Sequence, residues 1–389
     1  MSCSLLVGWP ATLASLLPHA WFTHANDADP DLTAPIWHSL LLCAIAVVTM
    51  ALVIKGADWL VEGAAGIAGR MGMPQVVIGA TIVSLGTTSP ETAVSVLAAF
   101  SGNAGLALGN GVGSIIADTG LIFGLGCLLA SRLPADKFIL VRQGWVQFAS
   151  GALLTAWCVG KWLMVGNAAE LAWPFGVACL AALAWYLWVS IRWAKARKTA
   201  ASEAPTAEED RIPDLPHEDE HADAASKPWL KLIIMGAVGL AMVLLAGDAF
   251  VQAISILAER FGIPPEVIAA TIVALGTSLP ELVVGLTAVF KGHGGLMVGN
   301  VIGADILNVL WVVGLSAVGG SIAGYGLPIV SSEGFPLVLG LQLPMMMAML
   351  ILFRLFIFKA NRDGRFSRWM GVPMLGLYAA FLVLNFVLS

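Results

Sequence analysis

Two copies of one short motif each place a carboxylate inside a long apolar run of this chain. The first copy, residues 81–91, reads TIVSLGTTSPE, and the second, residues 271–281, reads TIVALGTSLPE. Each copy ends in a glutamate, Glu91 or Glu281. Because a charge is costly inside a lipid bilayer, a carboxylate there usually marks an ion or proton site. Two copies predict one site built by two halves of the chain.

The composition indicates a protein that crosses a membrane many times. Of the 389 residues, 58% are hydrophobic and 12% are charged, and the mean hydropathy is +0.86. A soluble domain carries about 25% charged residues. The apolar runs are about 20 residues long, which is the length of a membrane-spanning helix rather than of a barrel strand. The net charge of −5 gives no reason to expect nucleic acid as a partner.

A polar segment divides the apolar runs into two groups, and each group contains five predicted spans. The spans cover approximately residues 36–57, 75–100, 105–130, 138–160, 169–191, 229–259, 265–290, 295–320, 335–358 and 370–388. The polar segment is rich in Pro, Glu and Asp and lacks a hydrophobic period, which predicts a disordered linker. We therefore predict four regions: an extracytoplasmic leader (1–35), a first half (36–191), an acidic linker (192–228) and a second half (229–389).

The repeat extends well beyond the motif. An offset of 190 residues aligns residues 79–126 with 269–316 without a gap, and many positions are identical. Because each half has an odd number of spans, the halves enter the membrane in opposite senses, an arrangement common in secondary transporters. The expected fold is an all-α membrane protein with ten transmembrane helices in two inverted-topology five-helix repeats, with broken helices at the ion site.

The basic residues predict the orientation. When the leader is placed outside, all of the 20 lysine and arginine residues except Lys161 and Arg260 fall on one side. Lys and Arg are enriched on the cytoplasmic side of membrane proteins. The sequence therefore predicts a multi-pass protein of the cell membrane, with a cytoplasmic linker and both termini outside the cytoplasm.

The motif collects oxygen atoms that bind hard cations. Pro90 removes a backbone hydrogen bond and breaks the helix before it. At membrane depth a broken backbone is tolerated only where it lines a cavity or is covered by protein. Carbonyl, hydroxyl and carboxylate oxygens bind Ca²⁺ and Na⁺. The candidate side chains are Thr87, Thr88, Glu91, Thr277, Ser278 and Glu281. The alternative is a packing kink with hydrogen-bonded neutral glutamates, but the recurrence of the whole unit favours an ion site.

The next predicted span in each half adds polar groups. Ser114 and Asp118 lie four residues apart and share one helix face. Their repeat mates are Ala304 and Asn308, so Asp118 is a third intramembrane acid without an acidic mate. The alternative for Asp118 and Asn308 is hydrogen bonding between helices without a ligand.

Four further acids are placed outside the site. Asp58 and Asp248 are repeat mates near span ends, and we expect them to cap or tie neighbouring helices. Glu62 lies in a Gly/Ala-rich span end, and Asp305 is expected on a different helix face from Asn308. The segment 217–221, HEDEH, matches a zinc-protease pattern, but prolines and acids surround it, which favours a solvated linker.

With these motifs the chain resembles the Ca²⁺/cation antiporter superfamily, namely the sodium/calcium exchanger family in its short prokaryotic form. The paired GT[ST]xPE motifs carry the resemblance, which covers residues 40–388. It implies ten helices in two inverted halves, of which the first and sixth slide, and exchange of Ca²⁺ for Na⁺, H⁺ or K⁺. It implies that the ion ligands are Thr87, Thr88, Glu91, Ser114, Asp118, Thr277, Ser278, Glu281 and Asn308, with the backbone carbonyls of Ser84 and Ala274.

Three departures from the family pattern leave the counter-ion and the stoichiometry open. Ser89 replaces the usual Leu, Ala304 lacks a hydroxyl that some members use for Na⁺, and the order Asp118 then Asn308 is the reverse of some exchangers. We expect Na⁺ as the counter-ion, with H⁺- or K⁺-coupled exchange as the alternative. No cofactor is expected beside the transported ions. A cation channel is the distant alternative, because an inverted repeat within one chain favours alternating access. An enzyme is not expected, since no credible nucleophile–base pair is present.

Overall fold

A computed structural model describes residues 36–102, 104–130, 133–134, 137–203, 227–261, 274–330 and 336–388. The predicted leader and most of the predicted linker, with its HEDEH segment, lie outside these residues. Part of the seventh predicted span, residues 265–273, also lies outside them.

The first half is built of helices, two of which continue through a π-helical turn. Helix α1 is Ile36–Met71, and α2 (Gln75–Ile78) continues through the π turn Gly79–Val83 into α3 (Ser84–Thr87). Helix α4 is Ser89–Phe100, and α5 (Ala104–Ala117) continues through the π turn Asp118–Ile122 into α6 (Phe123–Leu129). The last two helices of this half are α7 (Lys137–Val165) and α8 (Trp173–Glu203). A 3₁₀ turn, Gly166–Ala168, and the two-residue strands β1 (Leu133–Pro134) and β2 (Glu170–Leu171) lie between helices.

The second half repeats this order where it is described. Helix α9 is Trp229–Arg260, α10 is Ala274–Thr277 and α11 is Leu279–Phe290. Helix α12 (Gly294–Leu307) continues through the π turn Asn308–Val313 into α13 (Gly314–Ile322). The π turn Val338–Gln342 leads into α14 (Leu343–Asp363), and the 3₁₀ turn Arg368–Met370 leads into α15 (Gly371–Leu388). Strands β3 (Leu327–Pro328) and β4 (Arg365–Phe366) pair antiparallel with β2 and β1 and so join the two halves.

Within the described residues, eight helices are long and apolar enough to cross a membrane. They are Ser39–Met71, Ala104–Leu129, Leu140–Ala168, Trp173–Ala194, Trp229–Ala258, Gly294–Ile322, Val338–Asp363 and Arg368–Leu388. Two shorter apolar helices, Gln75–Thr87 and Leu279–Phe290, carry motif residues. The length and apolar character of these helices make the chain an integral membrane protein.

The helices that follow the motifs form the centre of the molecule. In the most apolar 18-residue stretch of Ala104–Leu129, 72% of the residues are buried inside the protein, and in that of Gly294–Ile322 the share is 83%. The corresponding share for Ser39–Met71 is 22%. A helix that is apolar all round and buried on most sides belongs to a core. Polar side chains on α5, α12 and their π turns are therefore surrounded by protein rather than by lipid.

Glycines allow α12 to pack closely against the first motif. A Cβ atom on Gly299 would lie 2.2 Å from the carbonyl oxygen of Val76, and one on Gly303 would lie 2.5 Å from Cα of Ala80. Real Cβ atoms do not approach so closely. Small residues of this kind let membrane helices bring their backbones together. This contact holds the first motif against the central helix of the second half.

Helices α1 and α9, which occupy equivalent positions in the two repeats, pack side by side at the edge of the molecule. A Cβ atom on Gly239 would lie 2.5 Å from the backbone nitrogen of Leu60. Large apolar side chains on the other faces of α1, such as Leu40 and Val47, are exposed. An apolar exposed face suits contact with lipid.

Helix α8 extends past residue 192, where the sequence predicts that the linker begins, and ends at Glu203. The disordered reading of residues 192–203 is therefore wrong. Residues 196–203 read ARKTAASE, and alanine, lysine and arginine favour continuation of the helix. The remainder of the linker stays a prediction.

The acids that the sequence analysis placed at span ends lie inside the longer helices α1 and α9 and form contacts there. Lys291 pairs with Asp58 at 3.4 Å and also donates to the Asp58 carbonyl, which ties α11 to α1. Lys227 pairs with Glu62 and ties the start of α9 to α1. Asp248 accepts a hydrogen bond from Gln252 one turn further along α9. The expected role of Asp58 in tying helices agrees with its contacts, whereas the contact of Asp248 with Gln252 lies within α9 and leaves the role of Asp248 a prediction.

Candidate cation site

Each motif breaks its helix at the same place. Helix α3 ends at Thr87 and α10 ends at Thr277; the next residues, Thr88 and Ser278, have φ/ψ of −77°/5° and −89°/8°. These values lie in the sparsely populated region between the helical and extended conformations. Proline at the second position of α4 and of α11 explains the break, because proline has no backbone N–H to donate and its ring clashes with the carbonyl four residues earlier.

The breaks place the two glutamates in the first turn of the helices that follow. Glu91 and Glu281 are 1% and 2% exposed, so both carboxyl groups are inside the protein. A negative group in the first turn of a helix is stabilised by the unpaired backbone N–H groups there. The proline that breaks each helix thus also supplies a favourable position for a buried carboxylate.

Each glutamate accepts a hydrogen bond from the motif of the other half. The Thr88 hydroxyl donates to Oε1 of Glu281 at 3.1 Å, and the Ser278 hydroxyl donates to Oε1 of Glu91 at 3.4 Å. Thr87 also lies within hydrogen-bonding reach of Glu281. Because these contacts are reciprocal, the two motifs form one site in which neither half is complete without the other.

One oxygen of each glutamate is left without a partner among the described residues. Oε2 of Glu91 and Oε2 of Glu281 are buried and form no hydrogen bond there. Buried polar atoms are normally satisfied by protein, water or an ion, so each unpaired one requires an explanation. Two unpaired carboxylate oxygens from facing motifs are suited to hold a cation.

Asp118 and Asn308 form a second pair next to the glutamates. Each is the first residue of a π turn, and the Asn308 amide donates to Oδ2 of Asp118 at 3.4 Å. Oδ1 of Asp118 and Oδ1 of Asn308 have no partner among the described residues. The charges of Glu281 and Asp118 act on Glu91, so the three acids share one electrostatic environment. π turns occur frequently at functional sites in helices.

The other predicted ligands differ in how deeply they are buried and in how many hydrogen bonds they form. Ser84 is buried, and its carbonyl accepts the Thr88 N–H at 2.9 Å and the Thr87 hydroxyl at 3.4 Å. Ser114 is buried one turn before Asp118, and Thr277 is half-buried. Ala274 begins α10.

A Gly-Asn pair recurs at residues 109–110 and 299–300, and its asparagines bond at or near the predicted ligands, although the sequence analysis gave them no role. Asn300 is 1% exposed and accepts a hydrogen bond from Thr87 at 3.4 Å. Its repeat mate Asn110 donates to Ser95, one turn beyond Glu91, at 3.0 Å. Their occurrence at the same place in both repeats was the available indication, since a polar residue that recurs in an apolar helix requires a partner.

Asp305, which the sequence analysis placed outside the site, is also buried in the core. It is 1% exposed and accepts hydrogen bonds from Thr119, which follows Asp118, and from Gln147 on α7 at 2.6 Å. Its charge acts on Asp118. Periodicity alone could not find this environment, because one donor comes from a helix 158 residues away.

Among the described residues, no three His, Cys, Asp or Glu side chains converge as a metal cage. Ca²⁺ binds six to eight oxygens, which include hydroxyl, carbonyl and water oxygens. A cation between Glu91 and Glu281 would therefore take its other ligands from groups such as Thr88, Ser278 and the backbone rather than from a third carboxylate.

Comparison with known proteins identifies the family. The family model described as sodium/calcium exchanger protein matches residues 41–192 and 231–387, which is most of the chain. The chain belongs to the sodium/calcium exchanger protein family. This confirms the resemblance seen in the paired motifs.

Relatives of similar length align over nearly their whole chains. Sodium/calcium exchanger MaX1 of Methanosarcina acetivorans is 30% identical over 358 residues, which cover 88% of this chain and 97% of MaX1. Inner membrane protein YrbG of Escherichia coli is 30% identical over 351 residues, which cover 90% of this chain and 98% of YrbG. A structure of the sodium-calcium exchanger NCX_Mj, soaked with Na⁺ and Ca²⁺, superposes with a TM-score of 0.68 at 25% identity over 88% of this chain and 98% of NCX_Mj.

Proposed function

We propose that this family member is a secondary active antiporter that exchanges Ca²⁺ for Na⁺ across the membrane by alternating access. One observation carries the proposal: Glu91 and Glu281 are buried, each bonded to a hydroxyl of the opposite half, and each has one unpaired carboxylate oxygen. Two such oxygens inside a membrane protein offer the charge that one Ca²⁺ requires.

The relatives support this assignment over an enzyme. MaX1 and NCX_Mj are both named as sodium/calcium exchangers, and each aligns over nearly its own whole length with 88% of this chain. The site offers carboxylate, hydroxyl and amide oxygens, which suit cation binding. The transported ions are therefore the substrates, and no resident cofactor is proposed.

The architecture that we propose is ten helices in two inverted repeats. The eight long helices are joined by two helices that break within the motif, and the break and the following π turn recur at equivalent positions in both halves. Repeats of five spans enter the membrane in opposite senses, which lets one site face either side in turn. The paired α1 and α9, packed at the edge, would slide over the central helices.

The transport step follows from the charge of the site. Empty, the site carries the uncompensated carboxylates Glu91 and Glu281 with Asp118 nearby, and exposing them to the low-dielectric core during a transition is unfavourable. One Ca²⁺ or several Na⁺ ions would neutralise the glutamates and take ligands from Thr87, Thr88, Ser114, Thr277, Ser278, Asn308 and the carbonyls of Ser84 and Ala274. A ligand shifts the balance between two conformations when it binds them differently, so the loaded site would cross and the empty site would not.

We further propose that the linker faces the cytoplasm and both termini face the other side. In the predicted ten-span topology, all but two of the 20 basic residues fall on the linker side, and such residues are enriched on the cytoplasmic side of membrane proteins. An impermeant thiol reagent added outside cells should label a cysteine introduced at position 389 and not one at position 205, in a cysteine-free background. The reverse labelling pattern contradicts the orientation.

The test of the function is calcium flux. The purified chain is reconstituted in vesicles, and uptake of radioactive calcium is measured under an imposed Na⁺, K⁺ or pH gradient. We expect uptake to require an opposing Na⁺ gradient. Uptake driven only by K⁺ or protons would assign a different counter-ion, and calcium flux that needs no counter-ion would indicate a channel instead of an antiporter.

A further inference from the structure

We infer that the groove between α7 and α14 binds the headgroup of an anionic phospholipid, with Arg354 as the anchor. The two helices pack closely along this groove, since a Cβ atom on Gly151 of α7 would lie 2.4 Å from Cδ1 of Leu350 on α14. Neither helix carries the repeated motif. The lipid site is therefore separate from the cation site, and its existence does not depend on the proposed exchange.

Arg354 lies at the depth where lipid headgroups meet the apolar part of a bilayer. The pairing of β1 with β4 places the start of α7 and the end of α14 at the same end of the molecule. Arg354 precedes the end of α14, Asp363, by about 14 Å of helix. Across the groove, the exposed ring of Trp145 lies in the first turns of α7. Tryptophan is enriched at membrane–water interfaces, so it marks the level of the headgroups.

The protein holds the Arg354 guanidinium in place. Its Nη1 donates to the Val141 carbonyl of α7 at 3.2 Å, and its Cζ lies 4.2 Å from the centre of the Trp145 ring. A Cβ atom on Gly144 would lie 2.9 Å from Nη1, so the missing side chain leaves the space that the guanidinium occupies. Because the ring covers one face of the planar group, the N–H bonds that Val141 does not accept point outward along its edge.

The charge of Arg354 has no acidic partner in the described part of the chain. Helices α7 and α14 contain one acid between them, Asp363, and it pairs with Lys359 at 3.0 Å. Arg362 is exposed two turns beyond Arg354 and adds a second positive charge toward the water. A charge at the edge of the apolar layer is costly unless it is paired. Basic pockets between membrane helices bind anionic headgroups, and the edge of a guanidinium fits a phosphate with two parallel hydrogen bonds.

The surface next to Arg354 suits a phospholipid better than a free phosphate ion. Leu355 and Phe358 of α14 are 60% and 75% exposed, and Leu153, two turns after Trp145 on the same face of α7, is also exposed. Acyl chains contact such apolar side chains, whereas a small anion uses the guanidinium alone. A phosphate that carries acyl chains therefore matches both the charge and the apolar surface of the groove.

The test measures the lipid that the purified full-length chain retains in a nonionic detergent. Native mass spectrometry follows the binding of phosphatidylglycerol and of phosphatidylcholine with the same acyl chains as their concentrations are raised. We expect phosphatidylglycerol to bind more tightly. Arg354→Gln should weaken phosphatidylglycerol binding by about tenfold or more and leave phosphatidylcholine binding unchanged, since charge-assisted hydrogen bonds are lost. Arg354→Lys should lie between, because an ammonium keeps the charge without the paired N–H groups.

The matched control is Arg368→Gln. Arg368 also donates to a backbone carbonyl, that of Ala130 at 3.2 Å, and it follows β4 at the same end of the molecule, but it lies beyond the end of α14. We expect this variant to bind phosphatidylglycerol as the unmodified chain does. Equal weakening in both glutamine variants overturns the inference, because it would indicate a diffuse attraction between acidic lipid and basic helix ends.

Three further results would also overturn the inference. One is unchanged phosphatidylglycerol binding in Arg354→Gln. Another is displacement of phosphatidylglycerol by an equal concentration of inorganic phosphate, which would make the free ion the ligand. If Arg354→Gln does not fold, Trp145→Leu is measured in its place, since it keeps the charge and removes the ring that positions the guanidinium. Unchanged phosphatidylglycerol binding in that variant is the third. None of these measurements requires calcium flux, so failure of the proposed exchange would appear separately.

Discussion

The two halves share a backbone and differ in where they place their second acid. Glu91 and Glu281 occupy equivalent positions and exchange equivalent hydrogen bonds. On the next helix the first half carries Asp118, opposite Asn308, whereas the second half carries Asp305, opposite Ile115. Each half thus contributes two buried acids. In the proposed site, the positions that the halves share would hold the ion, and the positions that they do not share make the two halves chemically different.

The halves also differ in how they hold their central helices. Asn110 bonds to Ser95 within its own half, whereas Asn300 accepts from Thr87 of the other half. Gly299 and Gly303 bring α12 against the first motif, whereas a Cβ atom on Gly109, the mate of Gly299, would meet only the Gln342 side chain among the described residues, at 3.7 Å. Equivalent sequences therefore take part in unequal packing, as expected when two repeats adopt different conformations around one site.

The largest expected effect tests the shared position. Glu91→Gln and Glu281→Gln should each reduce sodium-driven calcium uptake to background, because Ca²⁺ requires anionic oxygens and an amide of the same shape keeps only the packing. Flux in vesicles measures the effect, and thermal unfolding in detergent shows that the variants are folded.

Glu62→Gln is the control, because Glu62 lies on α1 and pairs with Lys227, just before the start of α9, rather than with a motif residue. A partly exposed ion pair of this kind is expected to contribute little, about 1 kcal/mol, so near-normal flux is expected. Near-normal flux in either Glu91→Gln or Glu281→Gln would show that the halves are not equal at this position.

An intermediate effect tests the unequal packing. Gly299→Ala places a Cβ atom 2.2 Å from the Val76 carbonyl oxygen, and overpacking of this kind typically costs about 1–3 kcal/mol. Gly109→Ala has room among the described residues, and alanine is favoured over glycine in helices by about 1 kcal/mol. The unfolding temperature in detergent should fall for Gly299→Ala and stay level or rise for Gly109→Ala. Equal shifts of the unfolding temperature in the two variants would show that the two glycines are packed equally tightly.

The smallest expected effect tests the acid that lacks an acidic mate. Asp118→Asn makes position 118 identical to Asn308, and it leaves both glutamates for Ca²⁺. Sodium-driven calcium exchange should persist within about tenfold, since the ligand charge supplied by the glutamates is unchanged. Part of the pH dependence should be lost, because an amide does not titrate. Vesicle flux at several pH values measures both. Complete loss of sodium-driven exchange would mean that Asp118 acts as a charged ligand.

The site could be predicted from the sequence as far as its chemistry is local. A proline and a glutamate within an apolar run predict a broken helix and a buried acid even when nothing is known of the neighbouring helices. Their recurrence 190 residues later predicts a shared site. The structure brings Thr88, Ser278 and both glutamates together and pairs Asp118 with Asn308. Which of these groups hold the ion, where the linker lies and how the leader is placed stay predictions.

The sequence by itself determined the membrane class, the duplicated motif and the places where the helices break, because each depends on the composition or order of a few neighbouring residues. The tertiary structure alone decided that Asp305 is buried beside Thr119 and Gln147, and that Asn300 meets Thr87 while Asn110 stays within its own half. Helical periodicity shows which face of a helix carries a residue, but the partner of that face is set by the packing of helices more than a hundred residues apart.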